Sequence, residues 1–147
     1  MKQEQPIGIF DSGIGGLTVA KAISTLLPNE QIIYFGDTAH FPYGDKSEDS
    51  IKKYSKGISE FLIKQNCKTI VIACNTASSL ASSFLRSFLP SNLPLIDVIA
   101  PVAKFLQSSA YENVGVIATK GTIGSGIYSK RINELSPKIK VSSLATP

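Results

Sequence analysis

Apolar positions along the 147-residue chain change rhythm at short, regular intervals. Ile7-Gly8-Ile9-Phe10 is a short apolar run that stops at Asp11-Ser12-Gly13. Leu17, Val19, Ala20, Ile23, Leu26 and Leu27 then recur at the spacing of a helix face, and Pro28-Asn29 closes it. Residues 32–35 read as a second strand ended by Gly36-Asp37. Across 47–65, Ile51, Tyr54, Ile58, Phe61 and Leu62 mark an amphipathic helix that Ser47 is placed to cap. The capping box is imperfect, because Ser50 stands where a glutamate would complete it. Residues 69–73 form a strand apolar on both faces, as in a buried parallel sheet. A helix over 77–88 follows, ended before Pro90.

The rest of the chain repeats the scheme in shorter form. Strands are predicted at 95–99, 114–118 and 139–144, with helices over 102–106 and 121–135. Strand and helix alternating at this spacing predict an α/β fold of parallel sheets with flanking helices and right-handed crossovers. Val71-Ile72-Ala73-Cys74-Asn75-Thr76 and Val116-Ile117-Ala118-Thr119-Lys120-Gly121-Thr122 echo one another: apolar strand, small residue, hydroxyl-rich turn. Pro90, Pro94 and Pro101 crowd the stretch between them. Two related lobes are therefore expected, 1–97 and 98–147.

Composition narrows the function classes. Hydrophobic residues make up 43% of the chain and charged residues only 18%, which suits a packed core rather than a disordered chain. No apolar run approaches the roughly 18 residues that span a bilayer, and the polar start does not read as a signal peptide. The net charge of +4 comes from scattered lysines and reads as a solvated surface, so neither nucleic acid nor membrane is an expected partner. Two cysteines do not make a disulfide framework, and the expected setting is the reducing cytoplasm.

In open parallel sheets, ligands bind beyond the carboxyl ends of the strands. Asp11-Ser12-Gly13, Gly36-Asp37-Thr38, Cys74-Asn75-Thr76, Asp97, and Thr119 with Thr122 should therefore share one rim. Gly13-Ile14-Gly15-Gly16 lacks the third glycine of a dinucleotide fingerprint, since Thr18 stands there, and no phosphate-loop lysine follows. It can be a tight strand-to-helix turn, or backbone amides open to an anion, carboxylate as well as phosphate. Cys74 is the most informative residue. It is either an inert core thiol or a reactive one whose pKa the following helix lowers. Cys67, seven residues earlier, belongs at the other end of the strand, roughly 20 Å away at about 3.3 Å per residue. It reads as a core or edge residue. His40, the single histidine, reads as a loop residue beside Pro42-Tyr43-Gly44. One histidine without clustered carboxylates gives no expected metal site.

These motifs, taken in order, resemble bacterial glutamate racemases of the aspartate/glutamate racemase family. Ile7-Gly8-Ile9-Phe10-Asp11-Ser12-Gly13-Ile14-Gly15-Gly16-Leu17-Thr18-Val19 resembles the family's opening. Tyr34-Phe35-Gly36-Asp37-Thr38-Ala39, Pro42-Tyr43-Gly44-Asp45-Lys46-Ser47 and Ala73-Cys74-Asn75-Thr76-Ala77 resemble its next three signatures. Pro94-Leu95-Ile96-Asp97-Val98-Ile99 and Ala118-Thr119-Lys120-Gly121-Thr122 fit further along.

The resemblance implies cofactor-independent interconversion of L- and D-glutamate by two cysteine acid/bases, supplying D-glutamate for peptidoglycan and so for cell-wall biogenesis and cell shape. It makes Cys74 one of the two thiols and Asp11 the carboxylate that assists it. It makes Ser12, Pro42, Tyr43, Gly44, Asn75, Thr76, Thr119 and Thr122 substrate contacts. Glutamate is then the partner, and a homodimer stays open. His40 stands where many members carry arginine. The family's second cysteine lies in a Cys-Thr-His motif that these 147 residues do not contain. The resemblance is thus to the front portion of a racemase, with an incomplete second lobe, and the chain alone is expected to be inactive. Two other readings stay open: a non-catalytic domain binding an amino acid or carboxylate, and a racemase of another acidic amino acid. A cysteine hydrolase lacks a histidine in a pairing motif.

Overall fold

A computed structural model describes residues 4–146. Four strands, β1 (Ile7–Asp11), β2 (Ile32–Gly36), β3 (Thr69–Ile72) and β4 (Leu95–Asp97), form a sheet in the order β2-β1-β3-β4. All three pairings are parallel, with Phe10 opposite both Phe35 and Ile72, and Ile72 opposite Asp97. Every strand therefore ends on the same rim.

Period-2 alternation sorts the strand side chains between two layers of helix. Ile7, Ile9, Val71 and Ala73 face α1 (Leu17–Leu26) through Val19, Ala20 and Ile23. Phe10, Ile70 and Ile72 face the other way, onto Ile51, Ile58 and Leu62 of α2 (Glu48–Lys64) and onto Ala77, Ala81 and Leu85. Fully burying each of these large side chains stabilises the fold by about 1.5–3 kcal/mol. Ser47 caps α2 as expected, its Oγ accepting from Ser50 N at 3.2 Å.

Three elements depart from the sequence expectation. The helix expected over 77–88 begins earlier and is two, α3 (Asn75–Leu80) and α4 (Ser82–Phe88), joined at Ala81. Serines 78, 79, 82 and 83 crowd the join, and two of them bond backbone carbonyls instead of simply extending the helix. The strand expected over 95–99 ends at Asp97, because that carboxylate accepts from Ile99 N and Ala100 N, both at 3.0 Å, and starts α5 (Ile99–Gln107). The helix expected over 121–135 is α6 (Lys120–Gly124) and α7 (Ile127–Leu135), separated at Gly126, whose φ of 65° is left-handed.

Strands β5 (Asn113–Thr119) and β6 (Lys140–Thr146) make a second, two-stranded parallel sheet. Ala103 and Leu106 of α5 and Ile132 of α7 pack with Ile139, Val114 and Val141 over one of its faces. Ile117 and Leu144, paired in register, are exposed.

Candidate active site

The first strand end sets the arrangement. Asp11 is buried, and its Oδ2 accepts from Gly13 N at 3.1 Å and Gly16 N at 3.0 Å. The anion at the glycine-rich turn is thus the chain's own carboxylate. Tyr34 locks the turn by donating to Gly13 O at 2.9 Å. Burial, then the nearby Asp11 and Cys74, push the Tyr34 hydroxyl up to about 12. A Cβ at Gly36 would lie 2.4 Å from Gly13 O, so only glycine lets β2 approach the turn.

Cys74 follows β3 and is the N-cap of α3, its Sγ accepting from Ala77 N at 3.4 Å. The thiol also reaches Ser12 Oγ at 3.6 Å and is 5% exposed. The expected lowering of its pKa is not what the environment produces. Burial pushes the thiol up and outweighs the Ala77 amide and the Ser12 contacts that pull it down, while the Asp11 charge pushes it further up.

Asp11, Ser12, Cys74, Asn75 and Thr76 line one cleft of about 570 Å³, with Phe41, Val102 and Tyr128. Thr119 and Thr122 line a neighbouring cavity of about 400 Å³, which shares Asn75, Val102 and Tyr128 with the cleft. The two spaces meet at three hydroxyls. Thr76 Oγ1 is 3.1 Å from Thr119 Oγ1, Thr119 Oγ1 donates to Thr122 Oγ1 at 3.1 Å, and Thr122 Oγ1 donates to Thr76 Oγ1 at 3.4 Å. Three hydroxyls in a ring hold three protons and spare lone pairs, so any of them can turn a proton outward to an anionic ligand.

Pro42, Tyr43 and Gly44 do not line the cleft. Tyr43 is buried, and its hydroxyl donates to Asp37 Oδ2 at 2.6 Å. Gly44 abuts Thr119: a Cβ there would lie 2.9 Å from Thr119 Cγ2. This segment therefore reaches the site from behind the threonines. His40 does not line the cleft; it stacks on Tyr54 at 3.9 Å and its Nδ1 lies 2.8 Å from Asp37 Oδ1. Asp97, expected on the rim, is there but fully engaged, with Ser82 Oγ and Arg86 donating to its Oδ2 at 3.0 and 2.9 Å besides the two amides. Cys67 is buried beside a separate cavity of about 240 Å³ next to Lys68, before β3 begins, where sequence spacing put it.

Asp37 lies on the rim within the Tyr34–Ala39 motif, but only its partners reveal its role. One residue escapes the motifs. Tyr128 lies in α7, and its hydroxyl donates to Asn75 Oδ1 at 2.6 Å, a contact no local pattern signals. Among the described residues no three His, Cys, Asp or Glu side chains cluster as a metal site would require. No helix among them is long and apolar enough to cross a membrane.

No family model matches the chain. It is nevertheless similar along its whole length to curated glutamate racemases. It is 45% identical over 148 residues to that of Chlorobaculum tepidum, covering all of this chain and 54% of the relative. With the Geobacter metallireducens glutamate racemase it shares 46% over 142 residues, 96% of this chain and 52% of the relative. The fold superposes on the crystal structure of glutamate racemase isoform RacE1 from Bacillus anthracis with a TM-score of 0.93 at 40% identity, covering 99% of this chain and 54% of that one. On the Francisella tularensis glutamate racemase solved with D-glutamate the TM-score is 0.89 at 45% identity, covering 96% and 52%. An aspartate racemase from Picrophilus torridus, 22% identical with a TM-score of 0.68, shares the fold. The chain spans about half the length of the curated relatives it matches.

Proposed function

We propose that this chain carries the Cys74 side of a glutamate racemase site, working without a cofactor in the cytoplasm and supplying D-glutamate for peptidoglycan. Two lobes, 1–97 and 98–147, would close on the substrate between them. The observation that carries the reading is the Cys74 thiol beside Ser12 Oγ in a cleft that Asp11, Asn75 and Thr76 also line. The α-hydrogen of an amino acid is very weakly acidic. Its removal needs a positioned base, and donors for the charge that develops on the carboxylate. In the proposed step the Cys74 thiolate takes the α-hydrogen as a proton. The electron pair of the C–H bond passes into the α-carboxylate, and the thiol or a second acid on the opposite face returns a proton to carbon. Asp11, held by two amides, would orient the substrate ammonium. Cys67, the other cysteine, sits at the far end of β3 and cannot supply the second face.

This gives a sharp first prediction for residues 1–147 alone. In D₂O one enantiomer of glutamate should gain α-deuterium without inverting, because the one positioned thiol abstracts and returns on the same face. Racemisation should stay far below the roughly 1–10³ per second of ordinary enzymes. Mass spectrometry with chiral chromatography reads both. Cys74→Ser should stop the exchange, and Cys67→Ser should not. Interconversion at an ordinary rate would overturn the placement of the second base outside this chain, and exchange that survives Cys74→Ser would overturn Cys74 as the base. The buried, upshifted thiol favours one other reading, a domain that binds the amino acid without reacting. Saturable glutamate binding with no exchange at any pH would establish it.

A further inference from the structure

Helix α7 contributes a side chain to the cleft from the second lobe. Tyr128 stands in its first turn, and its ring packs against the cluster of Ala103, Leu106, Ile132 and Ile139. From that anchor the hydroxyl crosses to the first lobe and donates to Asn75 Oδ1 at 2.6 Å. Asn75 directly follows Cys74, is exposed, and lines the same cleft. A side-chain amide has an acceptor end and a donor end of nearly equal size, and it can turn over to show either. Here a hydroxyl donor holds the oxygen. The end left over is Nδ2, with two N–H groups, and among the described residues Nδ2 makes no hydrogen bond. Burial, then the Asp97 charge, push the Tyr128 pKa upward, so the hydroxyl keeps the proton it donates.

We infer that Tyr128 is a specificity-determining positioning residue: by holding Asn75 Oδ1 it presents the Asn75 Nδ2 donors to a substrate carboxylate and selects the acid over the corresponding amide. The inference rests on the proposed glutamate site. A carboxylate offers only acceptors and matches two fixed N–H groups. An amide group presents an NH₂ at one end, which the fixed donors oppose. With Tyr128 removed, Asn75 can turn its oxygen toward the ligand and accept from that NH₂, so the preference for acid relaxes.

The test is an NMR titration of the 147-residue chain with glutamate, glutamine and isoglutamine. The two amides replace the side-chain and main-chain carboxylates in turn. Tyr128→Phe should weaken glutamate about tenfold, the size of one lost hydrogen bond to a charged group. It should leave one of the two amides unchanged or improved, so the acid-to-amide ratio falls by about the same factor; which amide responds identifies the carboxylate that Asn75 meets. In an Asn75→Ala background Tyr128→Phe should change nothing further. Asn75→Asp keeps Tyr128 intact but offers only acceptors, and should turn the preference toward the amide. Equal weakening of all three ligands by Tyr128→Phe would mark a merely structural role and overturn the inference, as would an Asn75→Asp chain that still prefers glutamate. Should the unmodified chain bind glutamate with its ratio unmoved by Tyr128→Phe, this inference alone falls. Should it bind none of the three, the proposed function falls and takes the inference with it.

Discussion

Asp37, at the close of β2, gathers three partners: the Tyr43 hydroxyl at 2.6 Å, His40 Nδ1 at 2.8 Å from Oδ1, and, through its own amide, Asp11 O at 2.9 Å. A buried carboxylate needs such donors, and losing one leaves an acceptor unsatisfied. Tyr43→Phe should therefore cost about 1–3 kcal/mol, read as a lower urea midpoint, and loosen the Gly44–Thr119 contact behind the site. An unchanged midpoint would show that His40 alone satisfies the carboxylate. For Cys74 the direction of its shift fixes a pH dependence. The reactive form is the thiolate, and burial holds the pKa above its ordinary value. The D₂O exchange rate should then climb close to tenfold per pH unit from pH 7 to about 9. A plateau below pH 8 would mean that ligand binding pulls the thiol down. At this scale the sequence marks candidates where position and chemistry coincide. Asp11 ends β1, Ser12 follows it, and Cys74 stands two residues past the end of β3. The sequence does not mark Tyr128, because the partner lies 53 residues away and nothing local marks a tyrosine in a helical turn.

Between strands and helices the same device recurs four times. Asp11, Cys74, Asp97 and Thr119 each end a strand or follow it and each accept from an amide two or three residues on: Gly13 N, Ala77 N, Ile99 N with Ala100 N, and Thr122 N. The sequence echo between 71–76 and 116–122 is thus a repeated strand-to-helix cap, with sulfur in one copy and hydroxyl in the other. Gly16 shows how tightly the first such turn is drawn. A Cβ there would meet Asp11 Cβ at 2.6 Å, Ala73 Cβ at 2.8 Å and Tyr34 Oη at 3.0 Å. Neither Asp11 nor Ala73 can yield without moving a strand. Gly16→Ala should destabilise by about 1–3 kcal/mol and should weaken glutamate binding too, since Gly16 N holds Asp11. Loss of stability with binding intact would separate the turn from the site. Strands β1 and β3 were legible because a buried parallel strand is apolar on both faces. The breaks at Ala81 and Gly126 were not, since an alanine gives no warning and a lone glycine is tolerated in many helices.

For the whole molecule, the parallel order β2-β1-β3-β4 brings every strand end to one rim and buries several titratable groups together with the core. Their shifts set opposite edges to stability. Burial pushes Asp97 up, but the Ala100 amide, Arg86, Ser82 and the Ile99 amide outweigh it and leave the carboxyl below its usual range. A depressed carboxyl adds stability above its unfolded value, near 4, and that stability is lost as pH falls through the lower folded value. The other edge has the reverse sign. Burial raises Cys67 and Cys74, Tyr34 rises to about 12, and Tyr43 is pushed higher, by burial and then by its bond to Asp37. Above the ordinary thiol value, near 8.5–9, the unfolded chain gives up protons that the folded chain keeps, so unfolding grows easier as pH rises. Urea midpoints should accordingly stay level from about pH 5 to 8 and fall on either side. The alkaline fall should come in two stages, thiols first and tyrosines above about pH 10. Combining Cys67→Ala with Cys74→Ser should remove the first stage relative to that variant's own midpoint at pH 7 and leave the second. A wild-type midpoint that holds level to pH 10.5 would mean that the thiols and Tyr34 ionise as freely in the fold as in water, and that the burial assigned to Cys74 is wrong.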